Sequence, residues 1–214
     1  MKNHGYDGLS FCEVLLAEGS PHVGLATVFW SHLQMPPIET TLIRMEAACR
    51  SFKSNVSDGT FFWLDFPVLR QCVHDFDLKR IITVIKEIGC TVVELYMEFD
   101  HKQGRIHSGC VPYLQRSFCI LEVFATLSGG GELFVQTNWN PSSMKKALES
   151  CPVDCAAADT RSASQRESIR EFIRESIGFE KMNALITEAA EKGSDRKGKK
   201  GDVPGVRMEE LTPI

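Results

Sequence analysis

No run of apolar residues in this sequence reaches the ~18 that a membrane-spanning helix requires. Nor is there an excess of positive charge: 24 Lys and Arg stand against 28 Asp and Glu, a net charge of −4. A general electrostatic grip on nucleic acid is therefore absent, and specific nucleic-acid binding is not expected. The opening MKNHGYDGLSFCEVLLAEG has a short apolar stretch broken by acidic residues, which is not the pattern of a secretion signal. There is no CxxC pair, and Cys151-x-x-x-Cys155 has no later His or Cys pair to complete four zinc ligands, so no metal site is expected. Phosphate-binding fingerprints are missing too. Neither GxGxxG after a strand nor a Walker A sequence occurs, and Gly129-Gly130-Gly131 follows a helical pattern instead of opening one.

What is present is an ordinary globular composition. The 214 residues are 43% hydrophobic and 24% charged, enough to bury a core without staples. The eight cysteines, several of them inside apolar runs, read as reduced thiols of a soluble cytoplasmic protein. Cys90 and Cys119 in particular are expected to be buried and free.

Short apolar runs alternate with amphipathic stretches, and this alternation points to an α/β fold. Strands are expected over Leu25–Trp30, Phe61–Phe66, Thr91–Met97 and Glu132–Trp139. A helix from Ile38 to about Phe52 separates the first two. The clearest helix lies between the second and third, where Leu78, Ile81, Ile82, Ile85 and Ile88 share one face, Asp77 can cap the start and Gly89 can end it. Phe118–Leu127 is apolar nearly all round, and its length favours a buried helix. Beyond Asn140-Pro141 the chain becomes helical and polar, with a capping-box pattern at Ser164–Glu167 and apolar faces on both sides of Gly178. One domain over residues 1–190, including these helices, and a disordered tail over 191–214 are expected.

In open parallel sheets, ligands bind beyond the carboxyl ends of the strands. That rule selects Ser31 and His32 after the first strand, and Asp65 near the end of the second with Arg70, Gln71 and His74 beyond it. Glu122 stands apart as the one charge between Phe118 and Leu127. A carboxylate there must find a partner, sit at a cleft, or stay protonated. An ordinary ion pair with a nearby Arg would satisfy it equally well. His32 likewise fits a structural hydrogen-bonding role, and Ser31-His32 has no evident acidic third member for a hydrolase triad.

The segment from Arg116 to Val123, Arg-Ser-Phe-Cys-Ile-Leu-Glu-Val, resembles the Ser-x-Trp-Cys-x-x-Glu-Leu segment of TIR domains, the Toll/interleukin-receptor/resistance-protein family. Phe29-Trp30-Ser31-His32 resembles the Phe-Val-Ser-His start of that fold, in a group common in protist and algal proteins. Trp63-Leu64-Asp65 with Gln71, then Leu114-Gln115-Arg116 leading to Glu122, match its later motifs. The likeness runs from about Tyr6 to Ala190. It departs from the group at Gln34, Cys72 and Phe118, where Trp, His and Trp are usual. The resemblance implies a flavodoxin-like parallel sheet in the order 2-1-3-4, flanked by helices, with a helical C-terminal extension. It also implies one of two functions. As an NAD-cleaving domain that releases nicotinamide, it would use Glu122 as the catalytic carboxylate, with Trp30, Ser31, His32, Phe62 and Asp65 against the substrate and no bound cofactor. As a non-catalytic homotypic module, it would pair with itself or other TIR-like domains through Arg70, Gln71 and His74.

Overall fold

A four-residue strand, β1 (Val28–Ser31), is buried along its whole length, as expected of an inner strand of a parallel sheet. The computed structural model describes residues 8–34, 37–51, 59–70, 77–96, 99–100, 105–106, 111–160 and 162–195. In chain order the elements are α1 (Phe11–Ala17), β1, α2 (Ile38–Ser51), β2 (Phe62–Trp63), α3 (Asp65–Val68), α4 (Leu78–Ile88) and β3 (Cys90–Leu95). A two-residue hairpin follows, β4 (Phe99–Asp100) with β5 (Arg105–Ile106). A 3-10 turn at Pro112–Gln115 then leads into α5 (Ser117–Ser128), β6 (Glu132–Thr137), α6 (Pro141–Ser150), α7 (Ala163–Ser176) and α8 (Phe179–Asp195).

The main sheet is all parallel, in the order β2-β1-β3-β6. This is the flavodoxin-like arrangement, with the four strands of the main sheet in spatial order second, first, third, fourth. Side chains alternate between its faces. Phe29, Val93, Leu95 and Leu133 join the large core that α4, α5 and the C-terminal helices cover. Val28, Trp30 and Val92 point the other way, onto Met45 and Ala48 of α2. No helix among the described residues is long and apolar enough to cross a membrane.

The local signals of α4 are realised in full. Asp77 accepts hydrogen bonds from the backbone N–H groups of Lys79 (2.8 Å) and Arg80 (3.1 Å), and Gly89 ends the helix at φ +67°. Other boundaries move. The second expected strand keeps only Phe62 and Trp63 before the chain turns into α3 at Asp65. The cap of α7 is Ser162, whose hydroxyl accepts from Gln165 N–H, while Ser164 lies inside the helix. Helix α8 runs on to Asp195, into the stretch expected to be tail. Gly193 explains this: a Cβ there would lie 2.2 Å from Val135 of β6, so the glycine permits close packing on the sheet. Residues 196–214 lie outside the described residues.

Among the described cysteines Cys12, Cys49, Cys90, Cys119 and Cys155 are free, Cys119 buried and Cys90 partly so. Cys151, however, is disulfide-bonded. The expectation of eight free thiols therefore fails. A disulfide requires only that two Cβ atoms come within ~4.5 Å, which spacing along the chain does not report. This bond also removes the support that a fully reduced set gave to a cytoplasmic location.

Candidate active site

Helix α5 forms from an almost wholly apolar sequence because it is covered on nearly every side. Cys119, Ile120, Leu121, Val123, Phe124 and Ala125 are all buried. Its start is fixed by a backbone bridge between Arg116 and Asp159 and by a hydrogen bond from Ser117 Oγ to the Ala158 carbonyl at 2.8 Å. In its last turn, Thr126 Oγ1 is hydrogen-bonded to Thr91 Oγ1 of β3 at 2.7 Å, pinning the helix to the sheet. These anchors leave Glu122 one orientation, toward the carboxyl end of β1.

There the Ser31 hydroxyl is hydrogen-bonded to Glu122 Oε2 and also contacts the Tyr113 hydroxyl. Tyr113, fully buried, in turn donates to the Cys119 carbonyl at 3.2 Å. Glu122 itself is only partly buried. Among the described residues it makes no ion pair, with Arg or any other cation. Burial pushes its carboxyl up to about 8; the Ser31 hydrogen bond opposes the rise and the nearby Asp65 charge adds to it. Asp65 sits at the start of α3, held by Phe66 N–H (2.8 Å) and by the Gln34 amide. His32 is half-buried, its ring edge-on to Phe66 at 6.3 Å, and its charge acts on Glu94 instead of Glu122.

Ser31, Asp65 and Glu122 are thus brought together. Trp30 and Phe62 are not. Strand alternation turns both to the α2 face, where they meet edge-on at 5.6 Å. Trp30 is 1% exposed and its indole N–H donates to Glu94 at 3.0 Å. Neither can stack on a ligand beside Glu122. Trp63 takes the place on the correct face, stacked on Phe29 at 4.6 Å. Arg70 lies apart, in a two-pronged ion pair with Glu13 of α1. Gln71 and His74 lie outside the described residues.

Sequence reading missed Tyr113, Glu94 and Arg44. Glu94 is the lone charge in an apolar strand, the same signal that singled out Glu122. It is 3% exposed and accepts from Arg44 at 2.9 Å. Among the described residues no group of three or more His, Cys, Asp or Glu side chains is placed to hold a metal ion. Comparison with protein-family models, curated proteins and solved structures gives no match for this chain.

Proposed function

We propose that this is a TIR-type signalling domain that cleaves the N-glycosidic bond of NAD, with Glu122 as the catalytic carboxylate. The observation that supports this most is a partly exposed carboxylate at the carboxyl end of the central strand, hydrogen-bonded to Ser31 and without an ion pair among the described residues. Such a group is costly to keep unless it acts. The reaction suits it. Nicotinamide in NAD is already cationic and departs neutral, so no acid is needed at the leaving group. The work left is to stabilise positive charge growing on the ribose, which an ionised Glu122 would do directly. Ser31 would hold that carboxylate in place, and Asp65 would supply a second acceptor for ribose hydroxyls.

A second reading, a homotypic interaction module, is favoured by exposed apolar side chains. Phe11 and Leu16 of α1 are 64% and 67% exposed, and Ile43 of α2 is 65% exposed. The two readings separate in one experiment. Concentrated protein is incubated with NAD and nicotinamide is followed by chromatography. The enzyme reading expects release that Glu122→Gln reduces by on the order of a hundredfold or more. No turnover by the parent, even when concentrated enough to assemble, would leave the interaction module.

A further inference from the structure

The atoms around Glu122 pose a problem of proton counting. Three oxygen–oxygen contacts run in series: Glu122 to Ser31, Ser31 to Tyr113, and Tyr113 to the Cys119 carbonyl. Each contact needs one hydrogen. Ser31 and Tyr113 carry one each and a carbonyl carries none. An ionised Glu122 therefore leaves one contact as a meeting of bare lone pairs, in a place where Ser31 and Tyr113 are each only 1% exposed. A protonated Glu122 fills all of them. Its carboxylic O–H donates to Ser31, Ser31 donates to Tyr113, and Tyr113 donates to the Cys119 carbonyl.

We infer that the free protein stores Glu122 as the neutral acid through this hydroxyl relay, and that Tyr113 is the positioning residue that holds the relay in its protonated direction. As a statement about catalysis it rests on the NAD reading above. It narrows the ligand class to cationic ones. A positive charge arriving over the site makes the carboxylate worth forming. The carboxylic proton then passes to water, Ser31 swings its hydrogen onto Glu122, and Tyr113 swings its own from the Cys119 carbonyl onto Ser31. One proton leaves per ligand bound, and no covalent bond other than that O–H changes. A neutral ligand gives no such incentive and meets an acid instead of an anion.

The groups facing this relay agree with it. Asp65 from α3 is the charged neighbour that acts on Glu122 directly, and its sign opposes ionisation. Cys119, one turn back on α5, and Glu94 of β3 act on Tyr113, also against added negative charge. Arg116 acts on Cys119, while Arg44 and His32 act on Glu94. Burial pushes the Glu122 carboxyl up to about 8, in line with storage of the acid at neutral pH.

The test is a carboxyl titration by carbon-13 NMR of the full chain without NAD, with the Glu122 signal identified by its loss in Glu122→Gln. The parent is expected to titrate near 8. Tyr113→Phe removes two hydrogen bonds from the protonated relay but only one from the ionised relay. Its midpoint should fall by roughly half to one pH unit. Ser31→Ala takes away the donor to the carboxylate, so its midpoint should rise. A merely structural role for Tyr113 would not produce opposite shifts from neighbours on one chain of bonds. Should Tyr113→Phe fail to fold, 3-fluorotyrosine incorporated in the parent serves instead. Its phenol is a poorer acceptor for Ser31, so the midpoint should again fall. A parent midpoint in the ordinary carboxylate range, or an unmoved or raised midpoint with either change at Tyr113, overturns the relay. Because NAD is absent, a parent that releases no nicotinamide defeats the NAD reading alone.

Discussion

Glu94 and Glu122 are two carboxylates near the carboxyl end of one sheet, on opposite faces, and burial raises the pKa of both. Their partners differ completely. Glu94 has a cation: Arg44 donates to one oxygen at 2.9 Å and stacks over the Tyr96 ring at 4.0 Å, while Trp30 donates to the other oxygen at 3.0 Å. Each oxygen of that carboxylate has a donor. Glu122 has the Ser31 hydroxyl and a second acidic neighbour instead. A buried charge with a matched cation is arranged to stay where it is. One held by a single hydroxyl keeps its protonation open to change. The α2 face therefore reads as scaffold and the α5 face as the site.

The comparison breaks most visibly at Arg44. Arg44→Met keeps much of the stem packing but leaves Glu94 buried without its cation, and should cost about 3 kcal/mol of stability at pH 7 by denaturant unfolding. Without Arg44 the Glu94 carboxyl rises further, so the folded state takes up a proton as pH falls and the deficit should shrink at pH 5. A deficit independent of pH would mean that packing, not charge, is what Arg44 supplies.

Glu122→Gln should do the reverse on the other face. The folded pKa of Glu122, about 8, lies above the ordinary value of 4.5. The folded state therefore binds its proton more tightly, and stability is lost as pH rises from about 4.5 through about 8. Glutamine stands in for the neutral acid, since its N–H can donate to Ser31 and keep the relay intact. The variant should match the parent near pH 4.5 and exceed it at pH 9 by up to about 5 kcal/mol. Lower stability at every pH would show that the carboxylate is structural.

How far the sequence reveals this contrast depends on range. Helix α4 is carried by local signals, and Asp77, the isoleucines and Gly89 all act where the pattern puts them. Glu122 stands out because its neighbours are apolar, a property of a few adjacent residues. The relay is different: Ser31 lies 82 residues from Tyr113 and 91 from Glu122, and only the parallel crossovers bring them together. Trp30 was misplaced because a strand buried on both faces shows no polar alternation to tell its faces apart. Once β1 is known to lie inside the sheet, the period of two puts Ser31 and Trp30 on opposite sides.

Smaller effects sharpen the same contrast. In the NAD reading the ionised carboxylate is the working form, so kcat/KM of the parent should climb as pH rises toward about 8. Ser31→Ala loses one charge-assisted hydrogen bond to the carboxylate, which should carry that limb upward by about one pH unit. Arg44→Met should leave the limb in place, since the charge it disturbs lies across the sheet. If both substitutions move the limb alike, the two faces are not independent.

The smallest expected effect concerns α1, which buries no side chain and is tied to the body by the pair Glu13–Arg70. The Arg70 guanidinium holds the Glu13 carboxyl down at about 2, with help from the Ser10 N–H. The tie is therefore complete above the ordinary carboxylate value of 4.5 and fades as pH falls through about 2. The Arg70 Nε–H proton should be visible and protected at pH 6, lost on acidification through that range, and lost at pH 6 in Glu13→Gln. The same pair tests the interaction reading. In that reading Arg70 is contact surface, so Arg70→Ala should weaken self-association in sedimentation, whereas Glu13→Gln, which keeps Arg70, should not. Movement in the same direction would mean that α1 itself, not Arg70, is the surface that matters.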